Sequence, residues 1–312
     1  MTRQRPFRFA CGAFTASSSQ AWSEFARRVE ALGYHAFLMP DHFGQNLAPA
    51  VGLLAAAYAT TSLRIGCTVF DNDFRHPAIL ANETATLDML SDGRFEFGIG
   101  AGWVKREYEQ TGIPFDAPGT RVDRMIEAVS IIKRLWSGEE VHHCGAHYTI
   151  TGLTDCVRPV QQPHPPVFIG GGGKRLLTFA AQEADTVGIL ARARPAGGLG
   201  FGNDETDDAI ARKVDWVRSA AGARFERLEL AMLIWDVIIT DNRRAAAETI
   251  ASGARGVTAD EVLASPYYLL GSVDAIVDQI LGLRERFGIS HFSVFPEDME
   301  FFAPVVARLR GK

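Results

Sequence analysis

Phe7-Arg8-Phe9-Ala10-Cys11-Gly12, His35-Ala36-Phe37-Leu38-Met39, Leu63-Arg64-Ile65-Gly66-Cys67-Thr68-Val69 and Arg94-Phe95-Glu96-Phe97-Gly98-Ile99-Gly100 are four short runs rich in strand formers. They begin at positions 7, 35, 63 and 94, a step that suits a compact βα unit. Amphipathic segments fill the gaps. Trp22, Phe25, Val29 and Leu32 make one apolar face, Leu53, Leu54, Ala57 and Tyr58 a second, and Leu80, Thr84, Leu87 and Leu90 a third. Such a repeat requires parallel strands joined by right-handed crossovers, in an open sheet or a closed barrel.

The rest of the chain supplies four more strands. Val167-Phe168-Ile169 leads into four glycines; Thr186 to Leu190, Leu228 to Ile239 and His291 to Phe295 follow, with helices between them. Eight strands and eight principal helices predict an α/β fold, the (β/α)₈ TIM barrel, as one domain over residues 1–312. Insertions are expected near the C-terminal strand ends, at about 101–118, 138–165, 191–208 and 252–270, the second containing a hairpin that turns at Gly145. The third is expected to act as a lid.

Composition narrows the function. The chain of 312 residues has 32 Lys and Arg against 37 Asp and Glu, a net charge of −5 that argues against a nucleic-acid surface. Its longest apolar run, Val51 to Ala59, falls short of the roughly 18 residues of a membrane helix. Cys11, Cys67, Cys144 and Cys156 form no CxxC pair. They predict free thiols and a cytoplasmic protein.

Barrel chemistry gathers on the loops after the strands. Asp41-His42 follows the second, where the imidazole either exchanges protons or caps the loop. Gly98-Ile99-Gly100-Ala101-Gly102 departs from the dinucleotide fingerprint, since Trp103 stands where the third glycine belongs. These glycines serve a flat ligand or tight packing. Gly170, Gly171, Gly172 and Gly173, followed by Lys174, present bare N–H groups at a helix start and predict an anion site. Arg175 and Phe168 exclude a Walker loop. His142, His143, Cys144 and His147 match no common metal spacing, and no metal is expected. GxSxG and HExxH are absent from the sequence, and no carboxylate directly ends strand four, which demotes hydrolase readings.

One stretch is more specific: Leu87-Asp88-Met89-Leu90-Ser91-Asp92-Gly93-Arg94-Phe95-Glu96-Phe97-Gly98-Ile99-Gly100-Ala101-Gly102-Trp103. With Glu107-Tyr108, Gly112-Ile113-Pro114-Phe115, Arg121-Val122-Asp123-Arg124 and Leu135-Trp136-Ser137-Gly138, it resembles the bacterial luciferase-like superfamily of flavin- or deazaflavin-dependent oxidoreductases. Within it the chain is most similar to the branch that uses coenzyme F420. The resemblance implies a homodimer and hydride transfer between F420 and a small organic substrate. An FMN-dependent monooxygenase and a non-catalytic flavin-binding relative are the alternatives.

The resemblance further implies that Asp41 contacts the cofactor and that His42 is the catalytic histidine, held by Asp41 or acting beside it. Thr68, Val69 and Phe70 would support the ring's back face, often through a non-proline cis peptide. Gly100, Gly102 and Trp103 would line the cofactor pocket, and Gly170–Gly173 with Lys174 would hold the phosphate-bearing tail. Phe14, Phe43, Phe70 and Trp103 are candidate apolar walls. Sugar-phosphate dehydrogenases of this branch carry a glutamate after the strand-four Gly-x-Gly. Trp103 in that region points away from a sugar phosphate.

Overall fold

The computed structural model describes residues 5–193, 204–253 and 257–312. Eight strands form the barrel: β1 (Arg8–Gly12), β2 (Ala36–Met39), β3 (Arg64–Cys67), β4 (Phe95–Gly100), β5 (Val167–Gly171), β6 (Thr186–Ile189), β7 (Glu229–Leu233) and β8 (Ile289–Val294). Each pairs in parallel with its sequence neighbours, and β8 returns to β1 through Arg8 opposite His291. The sheet is therefore closed, as the eight strands and eight principal helices predict.

Helices α1 (Ser19–Ala31), α2 (Pro49–Ala59), α3 (Pro77–Leu90), α4 (Lys105–Thr111), α5 (Pro118–Ser137) and α6 (Lys174–Glu183) cover the first half. Helices α7 (Asp207–Ala221), α8 (Arg243–Ser252), α9 (Ala259–Ala264), α10 (Val273–Phe287) and α11 (Met299–Leu309) cover the second.

Strand alternation sorts the side chains. Phe9, Cys11, Phe37, Met39, Ile65, Phe97 and Phe292 belong to the continuous apolar layer beneath the helices. Full burial of such side chains contributes roughly 1.5–3 kcal/mol each. The alternate set is small or charged: Ala10, Ala36 and Leu38 form a separate cluster. Below them the floor is ionic. Arg8 of β1 reaches Glu96 of β4 and, at 2.6 Å, Glu229 of β7; Arg64 Nε donates to Glu96 at 2.5 Å. Burial alone would raise the Glu96 carboxyl, yet Arg8, His35 and Arg64 hold it well below the usual carboxylate range.

The expected seventh strand divides. Leu228 to Ile239 is one apolar run, but only Glu229–Leu233 lies in the barrel, while Asp236–Ile239 pairs with Tyr268–Gly271 in a separate two-stranded sheet. The chain turns out where Trp235 N donates to Tyr267 O at 2.8 Å and the two rings stack 4.5 Å apart. Hydrophobicity continues through this exit, so the pattern does not mark it.

The 101–118 insertion contains α4, and the 252–270 insertion contains α9 and a strand. The 138–165 insertion holds the expected hairpin, Val141–Cys144 with Thr149–Leu153. Within the expected lid, 194–203 lie outside the described residues. Tyr58 points outward from α2, 71% exposed, rather than into the core. No described helix is long and apolar enough to cross a membrane.

Candidate active site

The site lies at the C-terminal end of the barrel and begins with the loop after β2. His42 Nδ1 stands 2.9 Å from Glu107 Oε2, and Phe43 N–H donates to Glu107 Oε1 at 3.2 Å. Glu107 is buried on α4, and Trp103 packs T-shaped against the His42 imidazole, ring centroids 5.8 Å apart at 84°. The carboxylate that holds His42 is thus Glu107, not Asp41.

Asp41 serves another group. It is buried, forms a paired contact with the Arg75 guanidinium, and accepts the Asp71 N–H at 3.1 Å. These bonds tie the loop after β2 to the segment after β3. The peptide between Thr68 and Val69 in that segment is cis, as the resemblance implies. Phe70 is fully buried and packs on Phe97, so its ring belongs to the core rather than to a pocket wall. Tyr108 Oη donates to the Asp71 carboxylate, at 2.8 and 2.9 Å from its two oxygens. Burial, with Asp73 and Asp41 nearby, pushes the Asp71 carboxyl up to about 7 against these hydrogen bonds.

The β4 glycines make room for this segment. A Cβ on Gly98 would collide with the Cys67 carbonyl oxygen, and one on Gly100 with Cγ2 of Val69. Gly102, at φ +72°, sits against Tyr108 Oη and the Asp71 carboxylate. Arg121 clamps the same turn, donating to Ala101 O at 3.1 Å and Gly102 O at 3.3 Å. The space freed by these glycines is occupied by the protein itself. A cleft of about 310 Å³ opens at the loop after β2, lined by Asp41, His42, Phe43, Asn46, Phe74 and Arg75. Phe43 and Trp103 remain partly exposed, while Phe14 packs toward Phe295.

Gly170 and Gly171 end β5. A Cβ on Gly172 would lie 2.6 Å from Arg192 N, so that residue admits a neighbouring backbone. Gly173 faces open space: nothing lies within 4 Å of a Cβ built there. It caps α6 without a side-chain hydrogen bond, and no acidic residue occupies the first turn. The leading N–H groups and the helix dipole favour an anion. Lys174 is exposed and has no carboxylate partner among the described residues, whereas Arg175 pairs with Asp123.

Glu107, Arg75, Tyr108 and Arg121 are the residues to which sequence reasoning gave no role. Glu107-Tyr108 and Arg121 belong to the stretches that carry the resemblance, but their partners are distant in sequence. The described residues contain no cluster of three or more side chains suited to a metal.

The profile of the family described as Luciferase-like monooxygenase matches residues 6–286. The oxygenase component of a flavin-dependent trigonelline monooxygenase from Acinetobacter baylyi is 32% identical over 172 residues, 53% of this chain and 47% of that protein. An F420-dependent glucose-6-phosphate dehydrogenase from Microbacterium testaceum is 30% identical over 194 residues, 58% of this chain and 55% of that one. The chain thus spans about half the length of the curated relatives it matches. The coenzyme F420-dependent tetrahydromethanopterin reductase from Methanopyrus kandleri superposes with a TM-score of 0.77 over 98% of this chain and all of that one. At 18% identity this likeness shows the shared fold.

Proposed function

The chain belongs to the luciferase-like monooxygenase family, and on that premise we propose an oxidoreductase that transfers a hydride between the deazaflavin coenzyme F420 and a small organic substrate. The observation that carries the reading is the pairing of an oriented histidine with an open, positively biased glycine turn on one barrel face. Gly173 opens onto free space at the start of α6, and the exposed Lys174 adds charge beside it. These residues fit the acidic tail of such a cofactor. When bound, the cofactor supplies the redox-active ring carbon.

The protein's own groups do the rest. His42 Nε2 has no hydrogen-bond partner among the described residues and exchanges the proton that accompanies the hydride. Trp103 and Phe43 give the ring and substrate an apolar wall. Asp41 acts through Arg75 and the Asp71 N–H, holding the segment that follows Val69, which would support the ring. FMN is the second reading, in line with the flavin-dependent Acinetobacter relative.

Titration of the protein with each cofactor, followed by fluorescence, tests the choice. F420 should bind at least about tenfold more tightly than FMN, a difference of about 1.4 kcal/mol. Equal or tighter FMN binding overturns the F420 reading. His42→Ala should keep cofactor affinity and lose turnover.

We further propose a homodimer through α2 and α3. The α2 helix carries no charged residue, and Val51 and Tyr58 share its outward face at 72% and 71% exposure, beside Ile79 of α3. The exposed thiol of Cys144 fits a reducing cytoplasm.

A further inference from the structure

Glu107 presents two oxygens to two nitrogens of one loop. Phe43 N–H can only donate, and it takes Oε1 at 3.2 Å; Oε2 faces His42 Nδ1 at 2.9 Å. A buried carboxylate accepts in both places, so the proton resides on Nδ1. Trp103 packs against the same imidazole in a T-shaped contact. His42, which lines the cleft with a side chain 29% exposed, then keeps a bare lone pair on Nε2.

Resting on the proposed role of His42, we infer that Glu107 is a positioning residue. It fixes His42 as the Nδ1–H tautomer and so selects Nε2 as the nitrogen that meets substrate. Glu107 touches neither substrate nor cofactor in this assignment. Its place on α4, an element outside the regular βα repeat, means the insertion after β4 sets the proton chemistry of the loop after β2.

The test uses the full-length protein labelled with ¹⁵N-histidine. The His42 resonances are identified by their loss in His42→Asn, and long-range ¹H–¹⁵N correlations report the tautomer without any cofactor. The neutral imidazole should carry its proton on Nδ1 in the parent protein. In Glu107→Ala it should move toward Nε2–H, and so should it in Glu107→Gln, whose single amide oxygen is taken by the Phe43 N–H and whose NH2 then donates to Nδ1. With F420 present, Glu107→Ala should lower kcat by about 10- to 100-fold and shift cofactor affinity by less than about threefold. Glu107→Gln should share that loss, and Glu109→Ala, on the exposed face of α4, should match the parent.

An Nε2–H imidazole in the parent protein, or an unchanged tautomer in Glu107→Ala, overturns the assignment. So does a cofactor affinity that falls as far as kcat. If neither F420 nor FMN binds, the functional reading fails while the tautomer arm still decides the role of Glu107.

Discussion

Lys213→Met should cost this barrel about 3–5 kcal/mol, because it strips one partner from a buried ion pair. Lys213 on α7 is fully buried, and its ammonium donates to Asp204 Oδ2 at 2.7 Å, Leu190 O at 2.8 Å and Asp204 O at 3.1 Å. Burial pushes Lys213 below its ordinary value, with Asp204 opposing that shift. Methionine preserves the volume and leaves the Asp204 carboxylate, itself 1% exposed, with the Arg192 N–H at 2.7 Å and the looser guanidinium contacts of Arg192 and Arg212 at 3.6 and 3.7 Å. Urea unfolding measures the loss. The double variant Lys213→Met, Asp204→Leu should recover about 2 kcal/mol, since it also removes the buried carboxylate that has lost its nearest cation. The link to function is Arg192, whose backbone rests against Gly172 and borders the proposed anion cradle. Cofactor affinity should fall in the single variant. A Lys213→Met protein within about 1 kcal/mol of the parent, or a double variant weaker than the single, would refute this accounting.

Asp71 gives a pH dependence of defined sign. Its folded value, about 7, lies above the ordinary carboxylate value of 3.8, so the folded state binds more protons across that interval. Its contribution to stability is present below pH 4 and declines as pH rises toward 7; Asp71→Asn should flatten that decline in melting curves taken across the interval. On the outer surface, Val51→Lys with Tyr58→Glu should convert a dimer to a monomer in sedimentation velocity without altering the barrel's circular dichroism. A parent protein that already sediments as a monomer removes the proposed interface.

Much of the architecture was legible because periodicity reports burial. The steps from Phe7 to Arg94 located four barrel strands to within two residues, and the hairpin turned where Gly145 placed it. What escaped was information held between distant residues. Nothing in Leu228 to Ile239 marks the departure at Trp235, because the partner that draws it away is Tyr267. Tyr58 looked like core because the pattern gives a helix's apolar residues but not which of them find a neighbour. At the site, Asp41 beside His42 suggested contact by adjacency. Successive residues of an extended loop point apart, and the structure gives His42 to Glu107 and Asp41 to Arg75. The glycines of β4 were visible as a demand for close approach, but the sequence could not say that Cys67 and Val69 would be the ones approaching.

The segment from Asp71 to Arg75 is fastened by side chains from four separate places. Tyr108 of α4 grips Asp71, Tyr148 of the hairpin accepts from Asn72 at 3.1 Å, Arg124 of α5 meets Asp73 at 2.9 Å, and Asp41 receives Arg75. Peripheral decoration and central scaffold are consequently not independent in this molecule. Remodelling the hairpin, the part of such a barrel freest to vary, pulls through Asn72 on the same five residues that anchor the loop bearing the histidine, so a change made at the rim arrives at the chemistry as a displacement.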